Sequence, residues 1–346
     1  MPVVLRILKR FVDLLRRENL HQILLGAAAV IAFGALGFWA FEGRGSLADA
    51  VWWALVTATT VGYGDVYPTT GPGRAIGVLV MLVGIGFLGL LTASIAGIVI
   101  ENRLNKNKGL RSVHHKGHYL LCGWNFRGAD LVAEIRADAK GRQSPIVVLA
   151  QLEEKPPLDD SDFHFVRGEI NKEGLERAGA AQAAGAVVLS DERLDPHARD
   201  ATVILNVLTI KTLYPQLYTC VELAAPKNVD HALRAGADEI VALGELGTNL
   251  LAQAALDPGV SRVVTELVSN RFGQELYKVP PPATLVGRTF LEVLDELKRA
   301  YDTLCVAVES SEDRRLETNP PPHRVITEKD RLLVICRERP QWTQAG

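Results

Sequence analysis

One short run of residues carries the oxygen atoms that a dehydrated cation needs: Thr60, Val61, Gly62, Tyr63, Gly64 and Asp65. Gly62 and Gly64 have no Cβ, so they can take left-handed backbone angles that turn successive carbonyl groups towards one axis. Val61 and Tyr63 then turn their side chains away from that axis. These carbonyl groups and the Thr60 hydroxyl predict a site where a cation exchanges its water for protein oxygens.

A second run has the chemistry of a phosphate site: Cys122, Gly123, Trp124, Asn125, Phe126, Arg127 and Gly128. It fits the pattern GxGxxG with Asn125 at the middle glycine, after a strand-like run and before a helical one. Loop amides and a helix N-terminus in this context bind phosphate, and Arg127 can add a positive charge. Ala150 and Gln151 stand where an NAD site has an acid for the ribose, so nucleotide binding and an empty loop both stay open.

Two uncharged segments flank the cation-binding run. Residues 23–41 and 75–100 are each long enough to cross the hydrocarbon core of a bilayer, which is about 30 Å thick. A signal peptide is the competing interpretation of the first, but no small-residue cleavage signature follows it. The stretch between them has an apolar middle that is too short to cross twice, so it enters the membrane and returns. Such a segment survives only beside a pore or cavity.

Basic residues indicate the orientation of these spans. They precede the first span at Arg6, Lys9, Arg10, Arg16 and Arg17 and follow the second at Arg103, Lys106, Lys108 and Arg111. Because positive residues favour the cytoplasmic side, we expect both termini in the cytoplasm and the protein in the cell inner (plasma) membrane.

A short helix is expected to precede the cation-binding run. Ser46 can cap it, Asp49 suits its first turn, and it continues to about Ala58, so that its partially negative end points into the membrane. Trp52 and Trp53 on this helix either support Tyr63 and donate to Tyr63 or Asp65, or they form part of an interfacial aromatic belt.

The segment AVWWALVTATTVGYGDVYP resembles the pore region of two-helix prokaryotic potassium channels. The resemblance implies K⁺ as the permeant ion and a homotetramer, because one chain supplies only one side of each carbonyl ring. Some relatives have a Glu where this chain has Val56. Gly84 falls at the gating hinge of related channels, with Gly86 beside it; the alternative is close helix packing. No segment carries Arg at every third position, so no voltage sensor is expected.

Strand-like and helical runs alternate beyond His118, which predicts a parallel, doubly wound, Rossmann-like sheet. The six strand candidates are HYLLCG, PIVVLA, FHFVRG, GAVVLS, LYTCVEL and DEIVAL. Two of the connecting helices are expected at residues 128–139 and 196–213.

This region resembles an RCK domain (regulator of K⁺ conductance, TrkA-N and TrkA-C) through CGWN with Gly128, the turn from Arg167 to Glu169, and AGADEIV at 235–241. The resemblance implies an octameric ring and adds Arg167, Glu169 and Asp191 to the nucleotide-site candidates. Calcium-gated relatives carry a carboxylate cluster whose matching positions here keep only Glu222. Since Ca²⁺ takes six to eight oxygens, that site is not expected intact, although a divalent cation at Glu222 stays open.

The predicted fold is multidomain: an all-α membrane pore (1–101), a linker (102–116), a Rossmann-like RCK lobe with a crossover helix (117–270) and a small α+β C-terminal lobe (271–340). In the last lobe, residues 285–297 are expected to be helical and residues 303–308 and 331–336 to be strands. The linker histidines, His114, His115 and His118, are expected to be solvated rather than metal-bound. Four scattered cysteines are expected as reduced core residues: Cys122, Cys220, Cys305 and Cys336.

The predicted function is a ligand-gated potassium-selective channel whose RCK ring senses a nucleotide, NAD or ADP, and Ca²⁺ or another divalent cation as a further ligand. One alternative is gating by a divalent cation alone, with a nucleotide-free Rossmann-like domain. A membrane-tethered NAD-dependent enzyme is the alternative from another class, but no His-carboxylate or Lys constellation supports catalysis, so no enzyme is expected. A net charge of −2 gives no reason to expect a nucleic-acid partner.

Overall fold

The structure is a computed structural model that describes residues 20–43, 45–310, 315–340 and 342. The chain divides into two units, Met1–Lys106 and Asn107–Gly346. The basic residues from Arg6 to Arg17, which predict the orientation of the first span, lie outside the described residues.

The described part of the first unit, from residue 20 on, contains three helices: α1 (Leu20–Glu42), α2 (Leu47–Ala58) and α3 (Gly71–Asn107). Within the described residues, α1 and α3 are long and apolar enough to cross a membrane. Helix α3 is longer than the uncharged run that predicts it, because its polar end also favours a helix. It stops just before Gly109, whose φ is +65°.

Helix α2 begins as the sequence predicts. The Ser46 hydroxyl accepts from the Asp49 amide at 3.2 Å, and the Asp49 carboxylate accepts from the Ser46 amide at 2.9 Å. This reciprocal capping box satisfies two amides that the first turn would leave unpaired. Trp53 on the buried face of α2 packs against Phe38 of α1, which sets how α2 is held in the unit.

The first lobe of the second unit is a parallel sheet in the order β3-β2-β1-β4-β5-β6, which confirms the predicted doubly wound sheet and all six strand candidates. Its strands are β1 (Tyr119–Cys122), β2 (Ile146–Ala150), β3 (Phe163–Arg167), β4 (Gly185–Val188), β5 (Thr219–Leu223) and β6 (Glu239–Ala242). Strand β2 is buried along its whole length, as expected for a strand that helices cover on both faces.

Six helices accompany this lobe: α4 (Gly128–Ala137), α5 (Lys172–Arg177), α6 (Pro196–Leu213), α7 (Val229–Arg234), α8 (Leu243–Leu256) and α9 (Val260–Val268). Helix α6 has the predicted bounds, and α4 ends two residues earlier than expected. In the single chain, α8 and α9 hold no buried residue, and apolar side chains such as Leu251 and Val268 face outward.

The last lobe contains an antiparallel sheet in the order β7-β10-β8-β9 and one longer helix. Its elements are β7 (Glu275–Val279), α10 (Phe290–Tyr301), β8 (Leu304–Glu309), β9 (Leu316–Thr318) and β10 (Arg331–Cys336). The two predicted strands are present, but the helix begins at Phe290 and not at Leu285. Thr289 and Glu292 form a capping box there, and Gly287 has a φ of +85°, which prevents an earlier start.

Candidate ion pathway and nucleotide site

The cation-binding run has the backbone that the sequence predicts. Gly62 and Gly64 have φ values of +53° and +74°, and a Cβ on either would meet no atom within 4 Å. Thr60 also has a left-handed φ, +63°, which is uncommon for a β-branched residue and is not predicted from its type. The Val61 and Gly62 amides both donate to the Val56 carbonyl oxygen, at 2.9 and 3.1 Å. The run therefore starts from a fixed point at the end of α2.

One of the two tryptophans on α2 supports this run. The Trp52 indole N–H donates to Asp65 at 2.9 Å, and its ring stacks on Tyr63 with centroids 5.9 Å apart and planes 5° apart. Trp53 is buried and stacks on Phe38 instead. In this chain Asp65 thus has an indole donor as its partner, and the Val56 side chain, where some relatives have Glu, is buried.

A further contact fixes the segment between α2 and α3 at the end of α1, where the sequence predicts only the end of a span. The Glu42 carboxylate accepts from the hydroxyl and the amide of Thr70, at 2.7 and 2.9 Å, and from the hydroxyl of Thr69 at 2.7 Å. Glu42 thus holds the segment that follows the cation-binding run. In the sequence, this contact is indicated only by a carboxylate at the end of an uncharged run and by two Thr residues just before the next helix.

The two glycines predicted as a hinge differ in their surroundings. A Cβ on Gly84 would lie 2.8 Å from both the Cα and the carbonyl oxygen of Ala58, whereas one on Gly86 would meet nothing within 4 Å. Helix α3 continues through both positions. The contact at Gly84 supports the close-packing interpretation, and the hinge stays a prediction.

The glycine-rich loop follows β1 and leads into α4, as predicted. Gly123 has a φ of +92°, and a Cβ there would lie 3.0 Å from the Leu189 carbonyl oxygen. A Cβ on Gly128 would lie 2.7 Å from the Trp124 ring. Within the described residues, no acceptor pairs with the amides of Trp124, Asn125 and Phe126. Consecutive free amides before a helix form a concave anion site.

A cavity of about 290 Å³ opens beside this loop, at the carboxyl ends of the strands. The predicted site residues that line it are Gly123, Ala150, Gln151, Glu169 and Asp191. The Gln151 amide donates to Glu169 at 2.9 Å, which places an acid from the end of β3 beside the ribose position after β2. Asp191 pairs with Arg193, and the hydrogen bond from Arg193 lowers the pKa of Asp191.

The remaining predicted site residues do not line the cavity: Asn125, Phe126, Arg127, Gly128, Arg167 and Glu222. Three of them form a network. The side-chain amide of Asn125 donates to the Ser190 carbonyl oxygen and to Glu222, each at 3.1 Å. Arg127 donates to Glu192 at 2.7 Å and also to Glu222. The charge expected to meet a phosphate is therefore shared between two carboxylates.

This network also bears on the divalent cation predicted at Glu222. The carboxylate is largely buried and accepts from Asn125, Arg127 and the Ser190 hydroxyl, the last at 3.1 Å. Its oxygens already have donors. Among the described residues, no group of three or more His, Cys, Asp or Glu side chains is arranged to hold a metal ion.

One linker histidine and three of the four cysteines are buried: His118, Cys122, Cys305 and Cys336. The buried ring of His118 lies between the carbonyl oxygens of His115 and Ala178, 3.0 Å from each, and burial lowers the pKa of His118. His118 is thus a core residue, contrary to the solvated linker expected for it. All four cysteines are free, as predicted, and burial raises the pKa of the Cys122 thiol to about 12.

Comparison with known proteins gives both units a family. Residues 25–101 match the family described as "Ion channel", and residues 114–221 match the "Calcium-activated potassium channel slowpoke-like RCK domain". The chain thus contains an ion channel domain, in which two apolar helices are long enough to cross a membrane. An RCK domain follows this channel domain in the sequence.

Two relatives align along most of the chain. The calcium-gated potassium channel TvoK of Thermoplasma volcanium is 27% identical over 300 residues, which cover 86% of this chain and 84% of TvoK. Potassium channel protein 1 of Methanocaldococcus jannaschii is 25% identical over 295 residues, covering 83% of this chain and 84% of the relative. The human SLO3 gating ring matches 63% of this chain and 44% of its own, with a TM-score of 0.50 and 20% identity. That likeness concerns the fold alone.

Proposed function

We propose that this chain is the pore-forming subunit of a potassium-selective channel that a nucleotide, bound to the RCK domain, opens or closes. The observation that carries the proposal is the backbone of residues 60–65, where Gly62 and Gly64 are left-handed and Trp52 holds Asp65. Carbonyl groups fixed in this way replace the hydration shell of K⁺.

The proposal requires a homotetramer, because rings of carbonyl groups from Thr60 to Tyr63 need one strand from each of four chains. The RCK domains then form an octameric ring that includes additional RCK copies. The outward apolar side chains of α8 and α9 support contacts between RCK copies. The protein lies in the cell inner membrane with both termini in the cytoplasm.

The free amides of residues 124–126 and the adjoining cavity support NAD or ADP as the gating ligand. TvoK is named as calcium-gated, which keeps Ca²⁺ as the second candidate. Here the hydrogen bonds already made by Glu222 favour the nucleotide. The direction of gating depends on whether the ligand binds the open or the closed state more tightly.

Single-channel recording of purified protein in planar bilayers tests the proposal. With K⁺ on one side and Na⁺ on the other, the reversal potential should follow K⁺. NAD⁺, ADP and Ca²⁺ are then added separately to the cytoplasmic face, and a nucleotide should change the open probability. Equal permeation of Na⁺ and K⁺ would refute the assignment of the pore. A K⁺ current that responds to Ca²⁺ alone would refute nucleotide gating.

A further inference from the structure

In a doubly wound sheet the strand order runs outward in both directions from one point, and a nucleotide ligand lies at that point. In doubly wound sheets a dinucleotide lies across this point, with one nucleotide on each side of the glycine-rich loop. In this sheet the reversal is between β1 and β4, so the first nucleotide belongs near β2 and β3 and the second near β4 and β5.

The first of these two halves is open. The cavity runs from Gln151 and Glu169, at the ends of β2 and β3, past Gly123 to the loop after β4, where Asp191 and Arg193 line it. Its volume of about 290 Å³ lies just below the range for small-molecule sites, about 300–1,000 Å³. This volume suits one nucleotide.

On the β5 side of the second half, the protein's own side chains fill the space. Asn125, at the middle glycine position, reaches from the loop to the Ser190 carbonyl oxygen after β4 and to Glu222 on β5. Arg127 joins Glu222 to Glu192. A second nucleotide over β4 and β5 would have to displace these partners, and Glu222 would then be buried without them.

We infer that this site binds a single nucleoside phosphate of the size of ADP and discriminates against the dinucleotide NAD. The inference rests on the proposed nucleotide function and names its ligand class. The phosphates meet the free amides of the glycine-rich loop, and Glu169, held by Gln151, accepts from the ribose hydroxyl groups. Asn125 and its network set the boundary of the site.

Isothermal titration of the full-length protein in detergent with ADP, AMP and NAD⁺ tests this. NAD⁺ should bind about tenfold or more weakly than ADP. Asn125→Gly, which restores the middle glycine, should narrow that ratio by improving NAD⁺ binding. Glu192→Gln, which removes one carboxylate from Arg127, should act in the same direction and serves if Asn125→Gly fails to fold. Asp295→Asn, which breaks a surface pair with Arg299 on α10, is the matched control and should leave the ratio of the two affinities unchanged.

The outcomes separate this inference from the proposed function. NAD⁺ binding as tightly as ADP to the unaltered protein overturns the inference and leaves nucleotide gating intact. Absence of binding by all three nucleotides overturns both. A folded Asn125→Gly or Glu192→Gln protein with the original ratio would show that the network is not the boundary.

Discussion

Gly123→Ala should weaken nucleotide binding through the backbone alone, because the change adds one methyl group and no charge. At a φ of +92° an L-residue is strained, and a left-handed angle costs about 1–2 kcal/mol per residue. The new Cβ would also lie 3.0 Å from the Leu189 carbonyl oxygen. We expect the alanine variant's loop to relax without ligand and to return to the left-handed form when a nucleotide binds. The strain therefore appears as a loss of affinity.

The expected loss of ADP affinity is about 5–30-fold, which corresponds to that strain energy. Gly168→Ala is the matched control in the same cavity, since its Cβ would come no closer than 3.5 Å to another residue and its φ is not left-handed. The ADP affinity of Gly168→Ala should differ from that of the unaltered protein by no more than about twofold.

Isothermal titration gives both affinities. In bilayers, the ADP concentration for half-maximal effect on open probability should shift by the same factor. An unchanged affinity in Gly123→Ala, with an unchanged thermal midpoint, would refute the role of the loop backbone. An equal loss in Gly168→Ala would show that any added methyl group in the cavity is harmful.

The other predictions concern the segment between α2 and α3, the fold of the RCK domain and one of its cysteine thiols. Trp52→Phe keeps a ring on Tyr63 but removes the donor to Asp65, so bi-ionic recordings should show weaker K⁺ over Na⁺ selectivity. Trp53→Phe, at a ring that stacks on Phe38 and not on Tyr63, should leave the selectivity unchanged. Asp200→Ala leaves three partly buried donors unpaired, at about 1 kcal/mol each, and should lower the thermal midpoint by about 6–12 °C by intrinsic fluorescence. The Cys122 pKa is raised from 9 to about 12, so the unfolded state releases its proton first. Stability should fall as pH rises from about 9 towards 12, in part through this thiol, and Cys122→Ala should flatten that slope in unfolding scans.

Local chemistry explains what the sequence predicts well. The β-branched runs of the sheet, the Ser46 capping box and the left-handed glycines each depend on neighbouring residues. The contact of Asn125 with Glu222 joins residues 97 positions apart, and only the folded sheet reveals it. The choice of Trp52 over Trp53 depends on which face of α2 packs against α1.

The site was less predictable than the fold for the same reason. Arg127 has the residue type for a phosphate contact, but its partners Glu192 and Glu222 come from two later strand ends. Glu42 likewise meets Thr70 across 28 positions. Residue type determines which contacts a side chain can make, and the tertiary fold determines which partner it contacts.

The contact between Gly84 and Ala58 gives α3 the geometry of a lever. It divides the helix into arms of 13 residues back to Gly71 and 23 residues on to Asn107, about 20 and 35 Å long at 1.5 Å per residue. A straight helix that turns about this fulcrum moves its far end nearly twice as far as its near end. A small force at the long arm thus produces a larger force at the short one, which follows the cation-binding run in the chain, and no bend in the helix is needed.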